Sequence, residues 1–218
     1  MTLAAVVFDL DYTLAVPERD RQTLLNEATI AAGGQEVDRS EYLAEHRKHR
    51  ATETRTPIFE GLLSMGDPVE AAEAYREGVN EALVPVAGVP ELVEELRTQY
   101  RVGLLTDGPV RAQEAKLETL GWTDLFDSVV VTGSLPAGKP DQRAFEAILS
   151  ELGVAAGAAV YVGDNPDADI RGAKDAGMVA VQVLGDRFER APEADAYIER
   201  EQLADELRAF LSQQVGWR

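Results

Sequence analysis

Two carboxylates two residues apart, Asp9 and Asp11, leave a run of apolar residues and are followed by Tyr12 and Thr13. Thr106, Asp107 and Gly108 leave a second such run. A third exits through Gly163 into Asp164, Asp167 and Asp169, and Lys139 stands just before Pro140 and a segment with helical spacing. If these runs are strands of one parallel sheet, all these groups meet on a single rim, where open sheets bind ligands. Carboxylates so gathered repel one another unless a cation lies among them. An oxygen-only donor set without His or Cys suits Mg²⁺, a hard ion that keeps several waters. A Mg²⁺ site beside a free carboxylate, an ammonium and a hydroxyl is equipped for phosphoryl transfer.

The elements that must position these groups are readable as well. Residues 4–8, 102–105, 128–131, 159–162 and 179–183 are short, β-branched and nearly continuous in apolar character. That is how strands buried on both faces of a parallel sheet read. Helical stripes lie between them: Leu92, Val93 and Leu96; Ala112, Ala115, Leu117 and Leu120; and Phe145, Ile148, Leu149 and Leu152, a helix begun by Pro140 and closed by Gly153. A last helix from about residue 199 carries Leu203, Leu207, Phe210 and Leu211. Alternating strands and helices imply a doubly wound α/β sheet.

Residues 16–85 break the rhythm. No good strand is evident there, only helix signals. Asp38 with Glu41 forms a capping box, Thr56-Pro57 and Asp67-Pro68 are N-caps followed by proline, and Glu70 completes a second box. The expected organisation is an α/β core of residues 1–15 and 86–218 with a cap of about four helices at 16–85, hinged near 15–18 and 84–88.

Four motifs in order carry a family resemblance. Phe8-Asp9-Leu10-Asp11-Tyr12-Thr13-Leu14, Leu104-Leu105-Thr106-Asp107-Gly108, Gly138-Lys139-Pro140-Asp141 and Val162-Gly163-Asp164 through Asp169-Ile170 resemble those of the haloacid dehalogenase-like hydrolases, in the phosphatase branch with a helical cap after the first strand. The resemblance covers nearly the whole chain. It implies that Asp9 is a nucleophile forming an aspartyl-phosphate, with Lys139 neutralising the phosphate oxygens. Asp11 is implied as the acid for the leaving oxygen and then the base for water, its pKa raised by neighbouring carboxylates. Asp9, the main-chain carbonyl of Asp11 and Asp164 are the implied Mg²⁺ ligands. Thr106 would hydrogen-bond a phosphate oxygen, and Asp169 would orient Lys139 or a metal-bound water. Asp107 stands where the family usually has Asn. Asp107, Gly108 and Tyr12 are candidate substrate contacts.

Three rivals share parts of this pattern. A phosphomutase has all four motifs and differs in the cap. The family's 2-haloacid dehalogenases lack a carboxylate at the position of Asp11. A receiver-type signalling module also phosphorylates an Asp beside Thr and Lys, but is much shorter and has no helical insert.

Composition narrows the partners. The 218 residues include 21 basic and 39 acidic side chains, a net charge of −18, with 45% hydrophobic residues and no Cys. Nucleic acid is a poor partner for so acidic a chain, and disulfide or thiolate chemistry is excluded. No apolar run approaches the roughly 18 residues of a membrane span. The expectation is a cytoplasmic protein, a monomer or homodimer, acting on a small phosphorylated metabolite. A basic island, His46-Arg47-Lys48-His49-Arg50 with Arg55 nearby, stands out. Arg47 and Arg50 share a helix face and either close over an anionic substrate or form a solvated face paired with Glu41, Glu45 and Glu53.

Only Lys48, Lys116, Lys139 and Lys174 are lysines, which leaves 21 − 4 = 17 arginines. Dispersed acidity of this kind resembles the style of salt-accumulating microbes. The Debye length falls from about 10 Å at 0.1 M salt to about 3 Å at 1 M, screening surface self-repulsion. The melting temperature should therefore rise steeply between dilute and molar KCl; a flat or falling series would show that the charge is not a salt adaptation.

Overall fold

The computed structural model describes residues 2–49 and 52–215. In chain order the elements begin with β1 (Ala5–Phe8), β2 (Ala15–Pro17), α1 (Arg21–Ala31), α2 (Arg39–Lys48), α3 (Thr56–Leu62), α4 (Pro68–Glu81) and β3 (Leu83–Pro85). They continue with α5 (Val89–Arg97), β4 (Arg101–Thr106), α6 (Val110–Leu120), β5 (Ser128–Val131), α7 (Gln142–Leu152) and β6 (Ala159–Gly163). A wide π-helical turn, Pro166–Arg171, leads into α8 (Gly172–Asp175), followed by β7 (Val179–Leu184), β8 (Ala196–Glu199) and α9 (Leu203–Val215).

Six strands form one parallel sheet in the order β5-β4-β1-β6-β7-β8. The alternation of side chains along β1 explains its continuous apolar run. Val6 and Phe8 pack on one face with Leu92 and Leu96 of α5, Leu117 of α6 and Leu207 of α9. Ala5 and Val7 pack on the other with Phe145 and Ile148 of α7. Both faces are covered, so no polar residue interrupts the strand. In register, Phe8 pairs with Leu104 on one side and with Val162 on the other. The carboxyl ends of β1, β4 and β6 therefore lie side by side at the point where strand order reverses, the crevice of such sheets.

The insert packs around its own apolar cluster, including Leu24, Leu25, Ile58, Phe59, Tyr75 and Val79. Asp38 and Asp67 cap α2 and α4 through their side chains. The expectation of no strand here needs correcting. Ala15–Pro17 and Leu83–Pro85 pair as a short antiparallel ribbon where the chain leaves and re-enters the core. Three-residue strands ending in proline carry no periodic signal.

Other boundaries move. The start of α3 lies at Thr56 itself, with Arg55 at the N-cap and no side-chain cap bond. Pro140 sits in the turn before α7, which Asp141 caps. The last helix begins at Leu203 because residues 196–199 form β8, an edge strand bounded by charged residues. Along α6 the buried residues are Ala112, Gln113, Lys116 and Leu117, while Ala115 and Leu120 are half-buried. No helix among the described residues is long and apolar enough to cross a membrane.

The last residue of β6 lets the following turn come close. A Cβ on Gly163 would stand 2.6 Å from Cβ and Cγ of Asp169. Gly163→Ala should therefore force Asp169 or its backbone aside and cost about 1–3 kcal/mol. Chemical denaturation measures this, and an unchanged midpoint would mean the turn yields freely.

Candidate active site

Asp9 leaves β1 with its backbone N–H donating to the Val162 carbonyl of β6 at 2.9 Å. Its side chain is buried. One carboxylate oxygen accepts from Lys139 Nζ at 2.7 Å and the other from the Thr13 hydroxyl at 3.3 Å. Lys139 is buried too. It also reaches Asp169 Oδ1 at 2.7 Å and the Tyr161 hydroxyl at 3.0 Å. The second oxygen of Asp169 accepts from the Asn165 N–H at 2.9 Å, so both its oxygens are committed to holding other groups. Asn165, not Asp167, caps the π-helical turn, accepting from the N–H groups of Asp167 and Ala168.

Asp9, Asp164 and Asp169 each place a carboxylate oxygen within 4.8 Å of the others'. Burial pushes the Asp9 carboxyl well above its usual range, and Asp169 and Asp164 push the same way against Lys139. Burial and Asp169 carry Asp164 up to about 7, with Arg187 opposing. Burial works against the charge on Lys139, but Asp169 and Asp9 overcome it and hold its pKa well above that of a free lysine. One ammonium therefore leaves the carboxylates under-compensated. All the donors are oxygen, and Asp9 and Asp164 are raised by burial and then by their carboxylate neighbours, which fits a hard divalent cation. Thr106, fully buried at the end of β4, has a hydroxyl with no hydrogen-bond partner among the described residues. A buried hydroxyl is rarely left unmatched unless a ligand completes it.

Asp11 is placed differently from the expectation of a raised pKa. Its carboxylate does not face the acidic cluster. It is ion-paired to Lys116 of α6, to Arg21 of α1 at 3.2 Å, and accepts from Gln113 Nε2 at 3.3 Å. Burial pushes its pKa up, but Lys116 and Arg21 win and hold it well below the usual carboxylate range. Burial in turn brings Lys116 down to about 8, with Asp11 opposing. Lys116, Gln113 and Arg21 carry no motif signal. The one available clue is spacing, since a lysine at Ala112 + 4 falls on the face that α6 buries.

Asp107 accepts from the Thr132 hydroxyl at 2.8 Å and the Lys139 N–H at 3.1 Å, so its carboxylate braces the Lys139 loop. Asp107 and Gly108 also line a cavity of about 160 Å³ with Asp11, Tyr12, Lys116 and the cap residues Arg21, Arg39 and Arg55. Tyr12 adopts a left-handed backbone, φ 66°. The Arg187 guanidinium lies 3.8 Å from the centre of its ring and donates to Asp164 Oδ2 at 2.9 Å. Arg187, in the loop after β7, also gave no sign in the sequence.

Of the basic island, His46 lines this cavity but Arg47 does not. Arg47 borders a separate surface hollow with Lys48, Gly138 and Asp141. Glu45 takes up Lys48 and His49 as ion-pair partners. Arg50 lies outside the described residues.

Three comparisons agree with this geometry. The sequence profile of the haloacid dehalogenase-like hydrolases matches residues 3–177. A glyceraldehyde 3-phosphate phosphatase of Methanopyrus kandleri is 31% identical over 211 residues, 86% of each chain. A ribulose-1,5-bisphosphate 5-phosphatase of Halopiger xanaduensis is 31% identical over 181 residues, 82% of this chain and 74% of that one. The crystal structure of a HAD phosphatase from Thermococcus onnurineus superposes with a TM-score of 0.74 at 29% identity, over 96% of this chain and 98% of the other. With four motif loops on one rim, a match across most of its length and these relatives, the chain belongs to the haloacid dehalogenase-like hydrolases.

Proposed function

We propose that this chain is a Mg²⁺-dependent phosphatase that hydrolyses a small phosphomonoester through an aspartyl-phosphate on Asp9. The observation that carries it is the buried Asp9 carboxylate, aimed from a strand end, held by Lys139 and flanked by the unmatched Thr106 hydroxyl. The phosphatase relatives support the same reaction class.

Asp9, Asp164 and the main-chain carbonyl of Asp11 would hold the Mg²⁺. When bound, the ion supplies charge neutralisation for the phosphate oxygens and their carboxylate neighbours. Lys139 screens Asp9 from the incoming dianion, and Thr106 donates its free hydroxyl to a phosphate oxygen. An Asp9 oxygen then bonds to phosphorus as the bond to the substrate's ester oxygen breaks. That oxygen must take a proton, and Asp11 is the group to give it. To do so Asp11 must leave Lys116 and Arg21; burial without those cations then favours its protonated form. Water next attacks the aspartyl-phosphate, giving its proton to Asp11 and releasing phosphate and free Asp9. Asp169 keeps Lys139 aimed at Asp9 throughout, and Arg187 and Tyr12 close the rim beside Asp164. The same proposal places the protein in the cytoplasm of a salt-accumulating cell, on the strength of its −18 charge.

Asp9→Asn keeps the shape and removes the attacking charge. Phosphate release from a generic phosphomonoester with Mg²⁺ should fall to background, and chelation of the wild type should do the same reversibly. A variant that kept a tenth of the activity would refute attack by Asp9. A second outcome concerns Lys116. Lys116→Met removes a cation that holds Asp11 ionised, so the Asp11 pKa should rise and the alkaline limb of the kcat profile for alkyl phosphates, whose leaving oxygen needs a proton, should move to higher pH. The profile for p-nitrophenyl phosphate, with its acidic leaving group, should move far less. An unmoved limb on both would show that Lys116 does not act through the proton donor.

A further inference from the structure

Arg55 is 8% exposed, yet its Nε and Nη1 have no hydrogen-bond partner among the described residues. Its guanidinium lies over the Tyr75 ring, 5.2 Å from the centroid, and it lines the cavity that holds Asp11. A buried guanidinium cannot shed its charge, and leaving its donors unmatched is costly. Of the other cations that line the cavity, Lys116 and Arg21 are paired to Asp11, Arg187 to Asp164, and Arg39 donates to the Tyr75 hydroxyl. Asp107, the second carboxylate there, spends its Oδ1 on the Thr132 hydroxyl and the Lys139 N–H. In a chain of net charge −18, the cavity thus gathers Arg21, Arg39, Arg55, Lys116 and Arg187, with two donors of Arg55 and Nε of Arg21 short of an acceptor.

The placement of Arg55 is fixed. The carbonyls of Thr52 and Glu53 accept from the N–H groups of Val110 and Arg111, at 3.2 and 3.0 Å, which ties this part of the cap to the first turn of α6. The Arg55 carbonyl accepts from Ile58 and Phe59 at the start of α3. Arg55 therefore lines the cavity from a segment anchored on both sides.

We propose that Arg55, with Arg21 and Lys116 beside it, binds a second anionic group carried by the substrate. The preferred substrates are then short phosphomonoesters that also bear a carboxylate or a second phosphate. This rests on the phosphatase reading above and names the class of molecule it acts on. The planar fork of arginine meets either oxyanion with paired hydrogen bonds. At about 160 Å³ the cavity is smaller than the usual small-molecule site, which favours a substrate that extends little beyond the ester. Analogues without the second charge are disfavoured because they leave buried donors unmatched.

The test compares kcat/KM within two pairs: 2-phosphoglycolate against ethyl phosphate, and propane-1,3-diyl bisphosphate against propyl phosphate. The wild type should favour the doubly charged member of at least one pair by about tenfold or more, and the pair that shows it tells carboxylate from phosphate. Arg55→Gln should bring that ratio close to one, and Arg55→Lys should keep part of it. No preference in either wild-type pair overturns the proposal without any variant, as does an unchanged ratio in a folded Arg55→Gln protein. If the wild type hydrolyses none of the four, the phosphatase reading fails by itself. Calorimetric binding of the same pairs to the wild type then decides the subsite: tighter binding of the doubly charged members supports it, and equal binding overturns it.

Discussion

The ammonium of Lys139, buried between Asp9 and Asp169, is the constraint around which the rest of the site is arranged. Three buried carboxylates within a few ångströms of one another would drive each other protonated or force the site open. One lysine relieves part of that repulsion and leaves room for a divalent cation to relieve the remainder. Tyr161 and Asp107 serve the same contact, the first through its hydroxyl on Lys139 and Asp169, the second by gripping the Lys139 backbone. The absence of a side chain on Gly163 lets Asp169 fold back toward the lysine. Tyr161, Gly163 and Asp169 follow one another on and after β6, but Asp9, Asp107 and Lys139 are far from them and from each other in the chain. The parallel register of β1 with β4 and β6 brings them together, and helices on both faces hold that register.

A second charge system lies beside the first and is built oppositely. Around Asp11 the cations are in excess, so one carboxylate is kept ionised while the Asp9 and Asp164 carboxyls are pushed toward protonation. Asp9 and Asp11 are two positions apart, yet their environments diverge because the chain, having left β1 at Phe8, turns at Leu10 between them. Lys116 reaches Asp11 from the core and Arg21 reaches it from the cap. Asp11 thus ties the insert to the sheet through one carboxylate.

Much of this was legible in the sequence. The strands β1, β4, β5, β6 and β7 declare themselves because residues buried on both sheet faces must be apolar throughout. Asp9, Thr106 and Asp164 follow from them as strand-end polar groups, and Lys139 from its place before Pro140 and a helix. What escaped follows no periodicity. The β2–β3 ribbon is too short to alternate, and β8 is an edge strand with one buried residue among charged neighbours. Lys116 was hidden because a lysine on a helix reads as solvated, and only the buried Asp11 opposite shows otherwise. The basic island was legible in part. Its His46 and the neighbouring Arg55 line the cavity, Arg47 borders another hollow, and Arg21 and Arg39, which also line the cavity, lie elsewhere in the insert. Distance along the chain conceals a cluster that only helix packing creates.

The central claim is that the Asp9 carboxylate, held by Lys139, takes the phosphoryl group before water does. Rapid acid quench across the first turnover, followed by mass spectrometry of the peptides, examines it directly. The account predicts one phosphoryl group on the peptide carrying Asp9, appearing no later than free phosphate and lost when substrate is exhausted. Phosphate released at its normal rate with Asp9 never labelled, or the label found on another residue, would contradict it.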